Sequence, residues 1–176
     1  NLSIKVILSS YLQSKSFVSF LSSFLMSRYL VTQKEWVSLM GYNPSKFIGE
    51  SYPVHGITWF EAIKFCNKKS TLEELDNCYS ENNKCNFSKN GYRLPTECEW
   101  DYSARGGRYF KHCNENLVDI ETVSWYSGNS YGKVHEIGQK LPNMLGLYDM
   151  LGNVWEWCWD WYKEYPYRLK INYKGP

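Results

Sequence analysis

The 176-residue sequence lacks most of the features that announce a function outright. There is no long run of Lys and Arg, and the net charge is only +2, so the basic residues give no footprint for nucleic acid or an anionic membrane. No stretch reaches the ~18 consecutive apolar residues of a membrane helix, which argues against a membrane span. The 6 cysteines, at positions 66, 78, 85, 98, 113 and 158, include no close Cys-x-x-Cys pair. That excludes the usual structural zinc patterns, and the number is too small for a disulfide scaffold at this length. Either redox compartment remains open. The 3 histidines, His55, His112 and His135, are too far apart in sequence to suggest a metal site. No internal repeat or flexible linker divides the chain, so one domain is expected. What is abundant is aromatic surface: 18% of residues, with 8 Trp and 15 Tyr, a composition incompatible with disorder.

Three segments share one device. Thr32-Gln-Lys-Glu35, Thr58-Trp-Phe-Glu61 and Thr96-Glu-Cys-Glu99 read as capping boxes, in which Thr accepts from the N3 amide and Glu returns to the N-cap amide. Trp36, Val37, Leu39 and Met40 follow the first, with Gly41 as a stop. Trp59, Ala62, Ile63 and Cys66 follow the second at helical spacing, with Lys64, Lys68 and Lys69 expected outside. Trp100 and Ala104 follow the third, closed by Gly106-Gly107. Short helices of this kind need a partner to pack on. Val54–Ile57 reads as a short strand, and residues 78–95 read as hairpins. The turn Ser80–Asn83 would set Cys78 opposite Cys85, close enough for a disulfide. Residues 17–26, "FVSFLSSFLM", have two readings, the core of a signal peptide or a strand entering the domain, and the strand is preferred. The first residue is Asn rather than Met, so a fragment is expected. The coarse expectation is one α+β domain with short helices, short strands and much ordered loop.

The most unusual stretch is "MLGNVWEWCWDWY", residues 150–162. Trp155, Trp157, Trp159 and Trp161 alternate with Glu156, Cys158 and Asp160. A period of two is that of a strand, which predicts an indole face packed as core and an acidic face opposite.

These motifs carry a resemblance. "YLVTQKEWVSLMGYNPSKF" (29–47), "PVHGITWFEAIKFCN" (53–67), "GYRLPTECEWDYSARGG" (91–107) and "NMLGLYDMLGNVWEWCWDWY" (143–162) resemble the formylglycine-generating enzyme family, the sulfatase-modifying factors, in order and spacing over about residues 22–176. The resemblance implies a single, irregular, loop-rich C-type-lectin-like domain of α+β class, with short helices and short antiparallel strands. It also implies a family chemistry, the copper- and oxygen-dependent oxidation of a sulfatase cysteine to formylglycine. Residues 1–18 do not show the Gly-Gly-x-Phe-x-Met-Gly opening of the family and read as an atypical segment before a domain at 19–176. The family's Arg-Gly-Gly-Ser-Trp segment and the cysteine pair after it are absent from these residues. The pair holds copper(I), for which soft thiolates are suited. The chain as given is therefore expected to be inactive as an oxidase. Copper is expected only if that segment belongs to the full protein.

One site remains from the resemblance, a calcium loop. Asp149 and Glu156 would supply carboxylates, and Gly152 and Val154 backbone carbonyls. Calcium takes oxygen ligands from such mixed sets, and Gly152 would allow the bend. The family often has Asn where Asp149 stands. The bland alternative is a solvated turn whose acids cap amides. Other groups read as structural: Glu99 and Asp101 at a helix start, Cys66 and Cys98 as small buried hydrophobes, and Cys158 as a thiol with no histidine nearby. Trp155 is placed by the resemblance beside a substrate cavity. The expected partner is a protein or peptide, as substrate or as ligand. The rival function is a non-catalytic binding or display module on the same fold, and a third reading is the remnant of a longer gene.

Overall fold

The computed structural model describes residues 3–6, 10–14, 17–107, 119–165 and 170–175. His112 and Cys113 lie outside them. The described chain divides into two compact units, Val31–Leu94 and Asn1–Leu30 with Pro95–Pro176.

In the unit Val31–Leu94, helix α1 (Gln33–Met40) and helix α2 (Trp59–Leu72) carry the core. Thr58 and Glu61 form the full reciprocal capping box that the spacing predicts. At α1 only half of the box forms. Thr32 accepts from the Glu35 amide, but the Glu35 carboxylate pairs with Lys69 at 2.7 Å. Lys69, expected outside, is buried between Glu35 and Glu73, the latter at 2.9 Å. Burial works to lower its pKa, but the hydrogen bonds to the two carboxylates outweigh burial and raise it. Trp36 stacks on Phe65 with ring centroids 5.1 Å apart, and Val54 completes the buried cluster. The strand expected at Val54–Ile57 is absent. Only an isolated bridge joins Thr32 and Pro53, because proline offers no N–H to extend a ladder.

The hairpin after α2 forms, but in another register. Tyr79 pairs with Cys85, and the Asn86 amide donates to the Cys78 carbonyl. The register is shifted by one residue from the expectation, and a one-residue shift sends a side chain to the other face. Cys78 and Cys85 are not joined in a disulfide, and the Cys78 thiol instead meets the Gly91 carbonyl at 3.2 Å. The expected disulfide is not formed.

In the other unit, residues 17–26 do form strands. Among the described residues, β1 (Ser3–Val6) pairs antiparallel with β4 (Phe24–Ser27). The second sheet runs β2 (Ser10–Ser14), β3 (Phe17–Leu21) and β5 (Lys170–Ile171), antiparallel and then parallel, where only antiparallel pairs were expected. Helix α3 (Glu97–Ala104) starts at the complete Thr96–Glu99 box, and α4 (Ile120–Val123) is a single turn. Cys98 and Tyr102 pack with Leu21, while Ala104, Leu147 and Met150 form a second cluster. Cys66 and Cys98 are buried, as their apolar positions predict.

Candidate functional site

The loop that follows Tyr148 is held by local chemistry before any ligand is considered. Asp149 and Asn153 adopt left-handed backbone, φ 58° and 69°. These are the residue types, short and polar, that tolerate it best after glycine. Gly152 sits at the bend without entering that region, so its backbone angle alone does not demand glycine. It is required by proximity: a Cβ there would lie 2.1 Å from the Trp125 carbonyl oxygen and 2.7 Å from Ser124 Oγ. The two neighbours of Gly152 exploit that closeness. The Asn153 amide donates to the Trp125 carbonyl at 2.9 Å, and Ser124 Oγ donates to the Leu151 carbonyl at 2.8 Å.

Asn153 is the residue the sequence reading missed. Its Oδ1 accepts from the His135 amide at 3.0 Å and its Nδ2 donates to the His135 carbonyl at 3.1 Å. The His135 ring stacks on Trp125 at 3.7 Å, and Lys140 Nζ covers the same indole at 3.9 Å. The turn-forming Gly-Asn dipeptide was the available signal. His135 and His55 are both structural, as expected. His55 Nε2 accepts from the amides of Lys46 and Phe47.

The carboxylates gather on the inner side. Asp149 is buried; its Oδ2 accepts from the Gly138 amide at 2.8 Å, while Oδ1 meets no hydrogen-bond partner at normal geometry. Burial pushes Asp149 upward, opposed by the Gly138 amide and the nearby Asn153 side chain. Glu156 keeps partial exposure as a residue, but its carboxyl group is deep. Burial pushes it up to about 7, the Trp100 indole nearby holds it down, and the Asp149 charge adds to the rise. Asp149 and Glu156 are thus brought within electrostatic reach of each other. Gly152 and Val154 share their loop, with the Gly152 carbonyl accepting from the Val154 amide at 2.9 Å. Among the described residues no three His, Cys, Asp or Glu side chains converge as a metal group.

Beyond Val154 the alternation is real but its sense is reversed. Residues 154–161 form no strand. Trp155 is fully exposed, Trp157 is 48% exposed and Trp161 86% exposed, whereas Glu156, Cys158 and Asp160 are the more covered residues. Trp159 alone of the four is half-buried, its amide donating to the Pro95 carbonyl at 2.8 Å. The expected indole core is therefore an exposed indole row. The inner side is already furnished with polar partners, since Asp160 Oδ1 accepts from the Glu97 amide at 2.7 Å. Burial, with Asp160, Glu156, Glu97 and Glu99 around it, pushes the Cys158 thiol up to about 12. Glu99 serves the helix cap and Asp101 pairs with Arg105 at 2.8 Å, both structural roles.

The family model described as "Sulfatase-modifying factor enzyme 1-like domain" matches residues 13–175. The chain belongs to this family. The match begins inside the segment 1–18 that reads as atypical. Among the relatives of this sulfatase-modifying factor domain is "Chaperone protein LppX" of Paenibacillus barcinonensis, 38% identical over 180 residues, covering 81% of this chain and 64% of that protein. The "Formylglycine-generating enzyme" of Mus musculus is 28% identical over 155 residues, covering 80% of this chain and 36% of that protein. The chain thus spans less than two thirds of the length of either. In structure the domain is similar to "Treponema denticola variable protein 1", with a TM-score of 0.84 and 31% identity over 100% of this chain and 77% of the other. The structure of PvdO from Pseudomonas aeruginosa, at TM-score 0.62 and 20% identity over 84% of this chain and 61% of that one, shares the fold. The loop-rich, lectin-like α+β class is thereby shown.

Proposed function

We propose that these residues bind a protein or peptide and do not oxidise it. The observation that carries this is the direction of the alternating stretch: three of its four indoles, Trp155, Trp157 and Trp161, are exposed and the thiol is half-buried behind them. Exposed aromatic side chains in a row are suited to anchoring a partner. Copper(I) chemistry needs accessible thiolates. Burial pushes the Cys66 and Cys158 thiols up to about 12 and raises Cys78. Oxidation of a sulfatase-type cysteine, the activity the family resemblance implies, would need a cysteine pair and the Arg-Gly-Gly-Ser-Trp segment, and copper belongs to the protein only with them. The test is to incubate the chain with a cysteine peptide of sulfatase type, copper(I) and oxygen, and to read the peptide by mass spectrometry. An unaltered cysteine is expected, and conversion to formylglycine would overturn the proposal.

We also propose that calcium braces the loop behind the indole row. The buried, unsatisfied Oδ1 of Asp149 and the nearby Glu156 carboxyl fit a hard cation. Asp149 and Glu156 would hold it through carboxylates and Gly152 and Val154 through carbonyls. Bound there, the ion would keep both acids ionised and fix the start of the row.

A further inference from the structure

A second surface lies wholly within residues 31–94. A groove of about 450 Å³ runs between the outer face of α2 and the tip of the hairpin after it. Phe60, Lys64 and Lys68 line it at intervals of four residues, and so stand one above another on successive turns. Phe60 is 63% exposed, yet it is held: its ring meets Trp59 edge-on at 5.4 Å, and Trp59 meets Tyr79 at 6.5 Å. The opposite wall is held too, because Asn67 donates to the Tyr79 carbonyl at 2.8 Å and accepts from its amide at 3.1 Å.

The free polar groups in the groove are mostly donors. Lys64 makes no ion pair among the described residues. Lys68 spends one N–H on the Leu39 carbonyl at 2.8 Å and keeps two. Asn77 is fixed through its Oδ1, which accepts from Thr71 Oγ1 at 3.1 Å, so its amide N–H groups remain to donate. Asn83 lies at the hairpin tip in left-handed backbone, φ 58°. Glu81 is the one acid in the lining, against Lys64 and Lys68, which leaves one net positive charge.

We propose that this groove binds a short oligosaccharide carrying uronic acids. The face of Phe60 is a platform for the polarised C–H face of a sugar ring, which its negative quadrupole attracts. The asparagine amides suit sugar hydroxyls. The two lysines, separated by one helical turn of ~5.4 Å, suit carboxylates repeated along a chain. A bare anion would use neither the ring nor the spread of amides. A poly-acidic peptide would satisfy the lysines but brings no sugar ring to lay on Phe60.

The test is calorimetric titration of the whole chain with trigalacturonate, with maltotriose as the neutral sugar and poly-glutamate as the non-sugar polyanion. Saturable binding of trigalacturonate alone, weakened by added salt, is expected. Phe60→Ala and Lys64→Gln should each weaken it about fivefold, the scale of one exposed aromatic or charge contact. Neither side chain is in the core, so melting curves should be unchanged. Failure of trigalacturonate to bind, equal binding of maltotriose or of poly-glutamate, or undiminished affinity in both variants would overturn the proposal.

Discussion

Gly152→Ala isolates the reason the loop 149–156 has its shape. The new methyl would lie 2.1 Å from the Trp125 carbonyl oxygen, 2.7 Å from Ser124 Oγ and 3.0 Å from the Trp125 carbonyl carbon. Two of these are backbone atoms, so no flexible side chain can move aside. The segments must separate, and separation breaks the Asn153-to-Trp125 and Ser124-to-Leu151 hydrogen bonds. Each is worth about 1 kcal/mol, and overpacking adds about 1–3 kcal/mol. The sum is roughly 3–5 kcal/mol, which for a chain of this size lowers Tm by about 6–20 °C. The assay is thermal unfolding by circular dichroism beside Gly132→Ala, where nothing stands within 4 Å and only left-handed backbone, φ 66°, opposes the methyl. That control should cost about 1–2 kcal/mol. A Gly152→Ala protein melting no lower than the Gly132→Ala protein would refute the close-approach argument.

Other outcomes follow from the same geometry. Glu156 sits in the folded protein at about 7, above its ordinary 4.5. The folded state alone holds its proton between those values, so in chelator stability should fall as pH rises from about 4.5 to about 7, by roughly 2–4 kcal/mol. Glu156→Gln should flatten that slope in urea unfolding and raise stability at pH 8. Calcium at about 100 times its Kd should raise Tm by about 5–10 °C, less in Glu156→Gln, and an identical curve in calcium and chelator would remove the ion from the account. Mild oxidation followed by peptide mapping should find no Cys78–Cys85 disulfide, and recovery of that bond would contradict the observed register.

How far the sequence was legible depended on the range of the interaction that decides each feature. The Thr58 and Thr96 boxes were readable because a cap and its partner lie three residues apart. Glu35 left its box for Lys69, 34 residues away, and no local rule foresees that. Cys66 and Cys98 were correctly assigned to the core from helical spacing. The Trp row was misread because period two says only that two faces differ. It does not say which is inside, and the more hydrophobic face proved to be the outer one. Cys78 and Cys85 failed by one residue of register, set by the turn's own hydrogen bonds, Ser80 amide to Lys84 carbonyl and Asn83 amide to Ser80 carbonyl. Asp149 and Glu156 were picked out by a family motif; what the motif does not carry is their burial, which raises both carboxyls.

On this reading the outward indoles form a binding edge. Its most direct measurement is a random-peptide display selection against the immobilised chain, followed by fluorescence titration of the enriched peptides. Saturable binding that quenches or shifts tryptophan emission is expected, with its loss in Trp155→Ala and in Trp161→Ala, both of which should fold and melt as the parent does because those two rings are almost wholly exposed. No enriched peptide, or peptides that bind the two variants as tightly as the parent, would contradict it.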